Sequence, residues 1–221
     1  MCGRFTITVT YDQLEEYVKN QYDLTLKGTE LNVPSYNVAP TTNIISILND
    51  GKNYRVGTLK WGFLPPFPIK NNFGFINAKA ETLFEKPSFK KAALFQRCVV
   101  LADGYYEWKQ EETKIPYLIK TNDGIFKMAA IWNTIINPDG TKSNTVAIIT
   151  TNANKETINI HERMPVILNN DTEAIWLNPN IKDSNILKPL LKPYDQPLII
   201  YPVSTEVNFV RNNYPDLTNR L

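Results

Sequence analysis

The sequence predicts an α+β domain: a mainly antiparallel, barrel-like β-sheet core with flanking helices. Three observations carry that prediction. Short β-rich runs outnumber amphipathic helical runs. Most successive runs are joined by turns too short for a parallel crossover, which takes a dozen or more residues. Gly, Asp and Asn punctuate the joins, where a chain must reverse. At 221 residues, with 43% hydrophobic and 21% charged side chains, the chain fits one folded domain spanning 1–221, with no linker, repeat or low-complexity tract to divide it.

Taken in order, residues 3–9 (GRFTITV) alternate as a strand. Thr10 then suits the N-cap of a helix whose Tyr11, Leu14, Tyr17 and Val18 recur at helical spacing. NIISIL and YRVGTLKWGFL flank Asn49-Asp50-Gly51-Lys52, the pattern of a β-hairpin. Pro65, Pro66 and Pro68 mark an irregular stretch, and ETLFEKPSFKKAALF reads as helical with a break at Pro87. RCVVLAD, GYYEWK, IPYLIKT and IFKMAAIW are short strands, followed by NTVAIITT. A short helix is expected near NKETINI and a loop leading into a β-like run at HERMPVIL. Helices are expected at DTEAIWL and SNILKPLLK, and PLIIYPVS forms a last strand.

Composition narrows the function. No apolar run approaches the ~18 residues of a membrane span, and MCGRFTITVT lacks the basic-then-apolar pattern of a signal peptide, so a cytoplasmic protein with no membrane partner is expected. Cys2 and Cys98 form no CxxC pair and are expected to be free thiols; Cys98, in the apolar run RCVVLA, reads as a core residue. With His161 the single histidine, no metal site and no cofactor are expected. A net charge of +2 does not announce a nucleic-acid binder, so any contact with DNA must come from a local cluster. A monomer is the default expectation.

Cys2 carries the most chemistry. Aminopeptidases remove Met1 when the next side chain is small, and the mature chain would then begin with a 1,2-aminothiol. An α-amino group has a pKa of about 7.7–8.0, against about 10.4 for lysine, so roughly a tenth or more of it is neutral and nucleophilic near pH 7. Such an amine attacks an aldehyde to give an imine, and a thiol two carbons away closes a five-membered thiazolidine on it. The bland alternative, a small second residue with no role, fits Cys2 taken alone. Gly3 would let the new terminus lie against a ligand and Arg4 would offer a cation to a phosphate.

The opening MCGRF, followed by YNVAPT (36–41), LKWGFLP (59–65), INAKAET (76–82), ADGYYEW (102–108), ITTNAN (149–154), HERMPVIL (161–168) and PVSTEVNFVRN (202–212), resembles the SOS-response-associated peptidase (SRAP) family. The blocks occur in the family's order and span nearly the whole chain. The resemblance implies the SRAP fold and a protein that crosslinks to abasic sites in single-stranded DNA through its N-terminal cysteine, as a thiazolidine. It implies that Asn77, Glu107 and His161 serve beside Cys2 as catalytic residues.

Each residue type suits that task. An abasic deoxyribose is mostly a closed hemiacetal, and Glu107, set among Tyr105, Tyr106 and Trp108, is placed to acquire a raised pKa and move the proton that opens it. His161 titrates near neutral pH and can handle protons at the sugar oxygen or at the imine. Asn77 offers both a donor and an acceptor. For DNA contact, Arg4, Lys79 and Arg163 supply cations, Trp61 an apolar plate for a base, and Asn37 and Pro40 a groove border. Each has an ordinary structural alternative. Lys79 stands where the family commonly has arginine, Phe67 where it often has tryptophan, and Gly104-Tyr105 where glycine followed by tryptophan is common.

Three functions follow: a covalent crosslinker that shields abasic sites and possesses some power of self-reversal, a cysteine peptidase using Cys2 with His161 as base, and a non-covalent single-strand binder in which Cys2 is incidental.

Overall fold

In chain order the elements are β1 (Phe5–Ile7), α1 (Tyr11–Tyr22), β2 (Ser35–Val38), β3 (Asn43–Asn49), β4 (Tyr54–Trp61), β5 (Asn77–Lys79) and α2 (Pro87–Phe95). There follow β6 (Arg97–Ala102), β7 (Gly104–Gln110), β8 (Lys114–Thr121), β9 (Phe126–Ile136) and β10 (Lys142–Asn152). The chain ends with β11 (Arg163–Pro165), β12 (Ile167–Leu168), α3 (Asn170–Leu177), α4 (Ser184–Leu187) and β13 (Leu198–Pro202). The computed structural model describes residues 2–27, 31–69, 73–137 and 139–221.

Five strands close on themselves. β3 pairs antiparallel with β4 and with β6, β6 with β9, and β9 with β10, while β10 returns to β4 in parallel, Val146 opposite Trp61. Closure leaves this ring no open edge between its members. β5 adds to β10 in parallel, β11 to β10 and β12 to β9. A second sheet, in the order β13-β8-β7-β1-β2, is antiparallel throughout. The barrel-like α+β core is thus the observed fold, with two parallel pairings, β10–β4 and β10–β5, inside the mainly antiparallel set.

β6 is buried along its whole length, Cys98 included, which is why RCVVLA reads as continuously apolar rather than alternating. Its one charged residue, Arg97, is satisfied by backbone carbonyls: Nε donates to Trp176 at 2.6 Å, and Nη2 to Asn178 at 2.6 Å and Ile181 at 2.9 Å. These include carbonyls left unpaired at the end of α3, so a single cation closes a helix C-terminus onto the ring.

The expected break at Pro87 is present: a 3-10 turn at 80–82 ends before it, and Pro87 opens α2, where its missing N–H costs nothing. The helices differ from expectation in two places. NKETINI forms turns rather than a helix. The Asn154 side chain accepts from the N–H groups of Glu156 and Thr157 at 3.1 and 3.0 Å, and the bonds Ile158→Asn154 and His161→Thr157 stand apart without a continuous ladder. SNILKPLLK is helical only over the short α4, followed by a 3-10 turn at 188–190 that contains Pro189.

The chain passes from the ring to the second sheet at Asp103. Its carboxylate accepts from the Thr6 hydroxyl and from the Thr8 N–H and hydroxyl, each at 2.6 Å. At the next residue a Cβ would stand 2.7 Å from the Thr6 hydroxyl and 2.9 Å from Leu118, so any residue larger than glycine at 104 would have to push these side chains aside. β1 is therefore clamped at the seam between the sheets, and the residues just before it emerge there.

Candidate active site at the amino terminus

Cys2 lies in that seam with no exposed surface. Its carbonyl accepts a 2.8 Å hydrogen bond from Asn77 Nδ2. Asn77 is brought there by β5, which docks beside β10 with Asn77 opposite Ile148. Trp61 sets the approach: its indole N–H donates to the Ile76 carbonyl at 2.8 Å. Gly62 permits it, since a Cβ there would meet the Phe73 carbonyl oxygen at 2.2 Å. Among the described residues no partner is present for Asn77 Oδ1, which is buried and faces this corner with half its amide chemistry unused.

Strand register delivers Glu107. Tyr105 stands opposite Phe5, and the Tyr106 N–H donates to the Arg4 carbonyl at 2.9 Å. The next residue, Glu107, is therefore carried toward Cys2, on the same face of β7 as Tyr105. Its side chain is buried, and burial raises its pKa to about 7, against the pull of the positive amino terminus. The Cys2 thiol is pushed far above its usual range, first by burial and then by the Glu107 charge; the amino-terminal charge and a hydrogen bond from the Arg4 backbone oppose this. At neutral pH the sulfur is a thiol, not a thiolate.

His161 lies within electrostatic reach of the amino terminus. Its Nδ1 accepts the Arg163 N–H at 3.0 Å, which assigns the proton of the neutral ring to Nε2. Burial, then the amino-terminal charge, lowers its pKa. Arg163 holds this loop: it makes a two-pronged pair with Glu81 at 2.7 and 2.8 Å and also donates to Asn152 and to the Thr150 carbonyl, each at 2.7 Å. Glu81 lies two residues past the end of β5, so one guanidinium ties the His161 and Asn77 segments together.

At Cys2 the fold thus brings together a carboxyl that titrates near neutrality and an amide, with an imidazole of lowered pKa within electrostatic reach of the amino terminus. That set can exchange protons with a bound carbonyl compound without a metal. Among the described residues no group of three His, Cys, Asp or Glu side chains is placed to hold one. Residues 1–210 match the family described as SOS response associated peptidase (SRAP). The chain belongs to this family. A protein of Bacillus subtilis named abasic site processing protein YoqW is 45% identical over 98% of this chain and 98% of its own. Abasic site processing protein HMCES of Xenopus tropicalis is 32% identical over 83% of this chain and 65% of its own. The crystal structure of a protein from Bacteroides thetaiotaomicron matches over 100% of both chains, with a TM-score of 0.86 at 29% identity.

Within this SRAP chain the six residues expected to meet DNA divide sharply. Arg4 is half-buried and its Nη1 donates only to neutral oxygens, Asn37 Oδ1 at 2.7 Å and the Val207 carbonyl at 2.8 Å. Among the described residues no carboxylate pairs with it. Lys79 is exposed and Pro40 half-exposed. The other three are corrected. Trp61 has no exposed surface and packs on Phe5 at 5.3 Å, so it is a core strut for Asn77 and not a plate for a base. Arg163 is buried against Glu81 and is not available to a phosphate. Asn37 is buried, with its amide satisfied by Arg4 and by the carbonyls of Val207, Phe209 and Asn212.

Two contributors escaped the sequence reading. Trp108 lies against the Arg4 guanidinium, 5.9 Å from its ring centroid, and donates its indole N–H to Asn208 at 2.7 Å. The segment around Asn208 forms the wall that holds Arg4. Both sit in recognised blocks, GYYEW and VSTEVNFVRN, but a contact across a hundred residues has no signature in local spacing. Met1, whose removal the sequence reading requires, lies outside the described residues. Among the described residues no helix is long and apolar enough to cross a membrane.

Proposed function

We propose that the mature protein processes abasic sites in single-stranded DNA by forming a covalent thiazolidine through Cys2, once Met1 has been removed. The observation that carries the reading is the meeting of Asn77 and Glu107 at Cys2, on a site whose thiol is neutral. The names of the relatives support the substrate class. Asn77 fixes the Cys2 backbone, and its unpaired Oδ1 is suited to accept from the terminal amine or a sugar hydroxyl.

The steps balance without a cofactor. A proton shuttled by Glu107 and His161 opens the hemiacetal to the aldehyde. The neutral α-amine adds to the C1′ carbonyl, and the carbinolamine loses one water to give the imine. The thiol then adds across the C=N bond: sulfur bonds to C1′ and the thiol proton passes to nitrogen. A bare imine would acidify the neighbouring sugar proton and invite strand scission, whereas the closed ring suppresses that elimination. Hydrolysis along the same path in reverse would release the strand.

The neutral, desolvated thiol weighs against a peptidase in which a Cys2 thiolate attacks first, since the thiolate is the nucleophile of that chemistry. The test is denaturing electrophoresis after incubation with a uracil-containing oligonucleotide treated with uracil glycosylase. Wild-type protein is expected to give a heat-stable slow band. Cys2→Ala and a form with an uncleavable N-terminal tag are expected to give none. A heat-stable band from either contradicts the proposal.

A further inference from the structure

With Trp61 and Arg163 committed to the interior, the sequence-expected plate and one expected phosphate cation are gone, while the block PVSTEVNFVRN supplies a surface of the same kind. We propose that residues 207–212 form a nucleic-acid platform on which Phe209 stacks against an unpaired base of the strand bound at Cys2, with Arg211 meeting a neighbouring phosphate. This rests on the reading of single-stranded DNA as substrate and extends it to a contact outside the reactive corner.

The backbone of the segment is held from several directions. Asn37 Nδ2 donates to the carbonyls of Val207, Phe209 and Asn212 at 3.2, 3.1 and 2.8 Å, and Arg4 donates to Val207 at 2.8 Å. Trp108 reaches Asn208, and the Asn212 side chain donates to the Glu206 carbonyl at 2.9 Å. Val207 anchors the segment in the interior, yet the fixed backbone turns the next apolar side chains outward: Phe209 is 54% and Val210 56% exposed, and Arg211 beside them is exposed. A lone exposed apolar residue calls for no explanation. A rigid loop that displays an aromatic ring and an arginine is a different arrangement, because the order needed to receive a ligand has already been established.

Charge and continuity identify the occupant. The platform is tied directly to Arg4, a half-buried cation with no carboxylate partner among the described residues, which lies two residues after Cys2. Glu206, the acid just before the segment, has its carboxylate engaged by Asn212 Nδ2 at 2.9 Å. Cations interleaved with an aromatic ring, in line with the reactive residue, form the pattern that tracks a single strand: phosphates meet the charges and a base face meets the ring. A paired base has both faces covered by its neighbours, so the ring selects an unpaired base, or else the end of a duplex.

The experiment measures binding of fluorescein-labelled intact single-stranded DNA, which cannot crosslink, by full-length wild type, Phe209→Ala, Phe209→Trp and Arg211→Ala over a range of salt. The proposal predicts affinity about tenfold weaker for Phe209→Ala, restoration by Phe209→Trp, and a slope of log K against log salt shallower by about 0.7 for Arg211→Ala. Wild-type affinity in Phe209→Ala, with an unchanged melting temperature, overturns the platform, as does an equal loss on a blunt duplex, which would assign the ring to duplex ends. Failure of wild type itself to crosslink abasic DNA would instead sink the reading on which the platform rests.

Discussion

At the scale of single residues, position matters more than reactivity. Cys2 is so deeply buried that its thiol is kept protonated, and Glu107 beside it is raised to about 7 from an ordinary 4.5. If the Glu107 carboxylate takes the proton from the terminal ammonium, the crosslinking rate rises with pH with a midpoint near 7. In Glu107→Gln the rate is lower, and the rise moves to the amine's own range near 8; a pH–rate series checks both. The same shift has a stability consequence. The folded protein keeps this proton to higher pH than the unfolded chain does, so the carboxyl subtracts stability as pH climbs from about 4.5 to about 7. Glu107→Gln should therefore melt higher than wild type at pH 8, with the difference vanishing at pH 4. The chemical potential of Cys2 was legible from its place after Met1, and Glu107's setting among aromatics foretold its raised pKa. Trp61 and Arg163 misled for one reason: an indole and a guanidinium serve a core as readily as a strand of DNA, and only burial distinguishes the two.

At the scale of elements, hydrophobic periodicity revealed most strands and α1, whose Thr10 cap makes the expected bond with the Gln13 N–H, with Gln13 reciprocating. It failed at NKETINI, where a single asparagine side chain outcompetes helical pairing. It was silent about how α3 is docked. There Lys127 of β9 and Glu173 of α3 form a buried pair at 2.8 Å, joined by the Tyr22 hydroxyl of α1. Removing one partner strands a buried charge, so Glu173→Ala should cost about 3–5 kcal/mol in urea unfolding, whereas the double replacement Lys127→Met with Glu173→Leu should cost much less. Equal losses would show that the pair stabilises α3 by more than its mutual compensation.

For the whole molecule, the short turns pointed correctly to antiparallel neighbours, but ring closure came from the parallel return of β10 to β4, a pairing between distant segments that local pattern does not encode. That return also delivers the site. β10 carries β5 with Asn77 on one side and β11 with the His161 loop on the other, while the second sheet brings Cys2 and Glu107 to the seam. Because the ring runs into the second sheet at Asp103, whose carboxylate also holds Thr6 of β1 and Thr8, we expect the chain to unfold as one domain, with tryptophan fluorescence and far-UV circular dichroism giving coincident urea transitions; two separated transitions would divide it. The central claim is that amine and thiol of one residue capture the same carbon. It is tested most directly by tandem mass spectrometry of the amino-terminal peptide cut from the protein–DNA adduct. The expected product is a peptide beginning at Cys2 that carries the sugar less one water, with no thiol left to alkylate and no C=N bond for borohydride to reduce. A sugar found on a lysine, or on an amino terminus whose Cys2 thiol still alkylates, would contradict it.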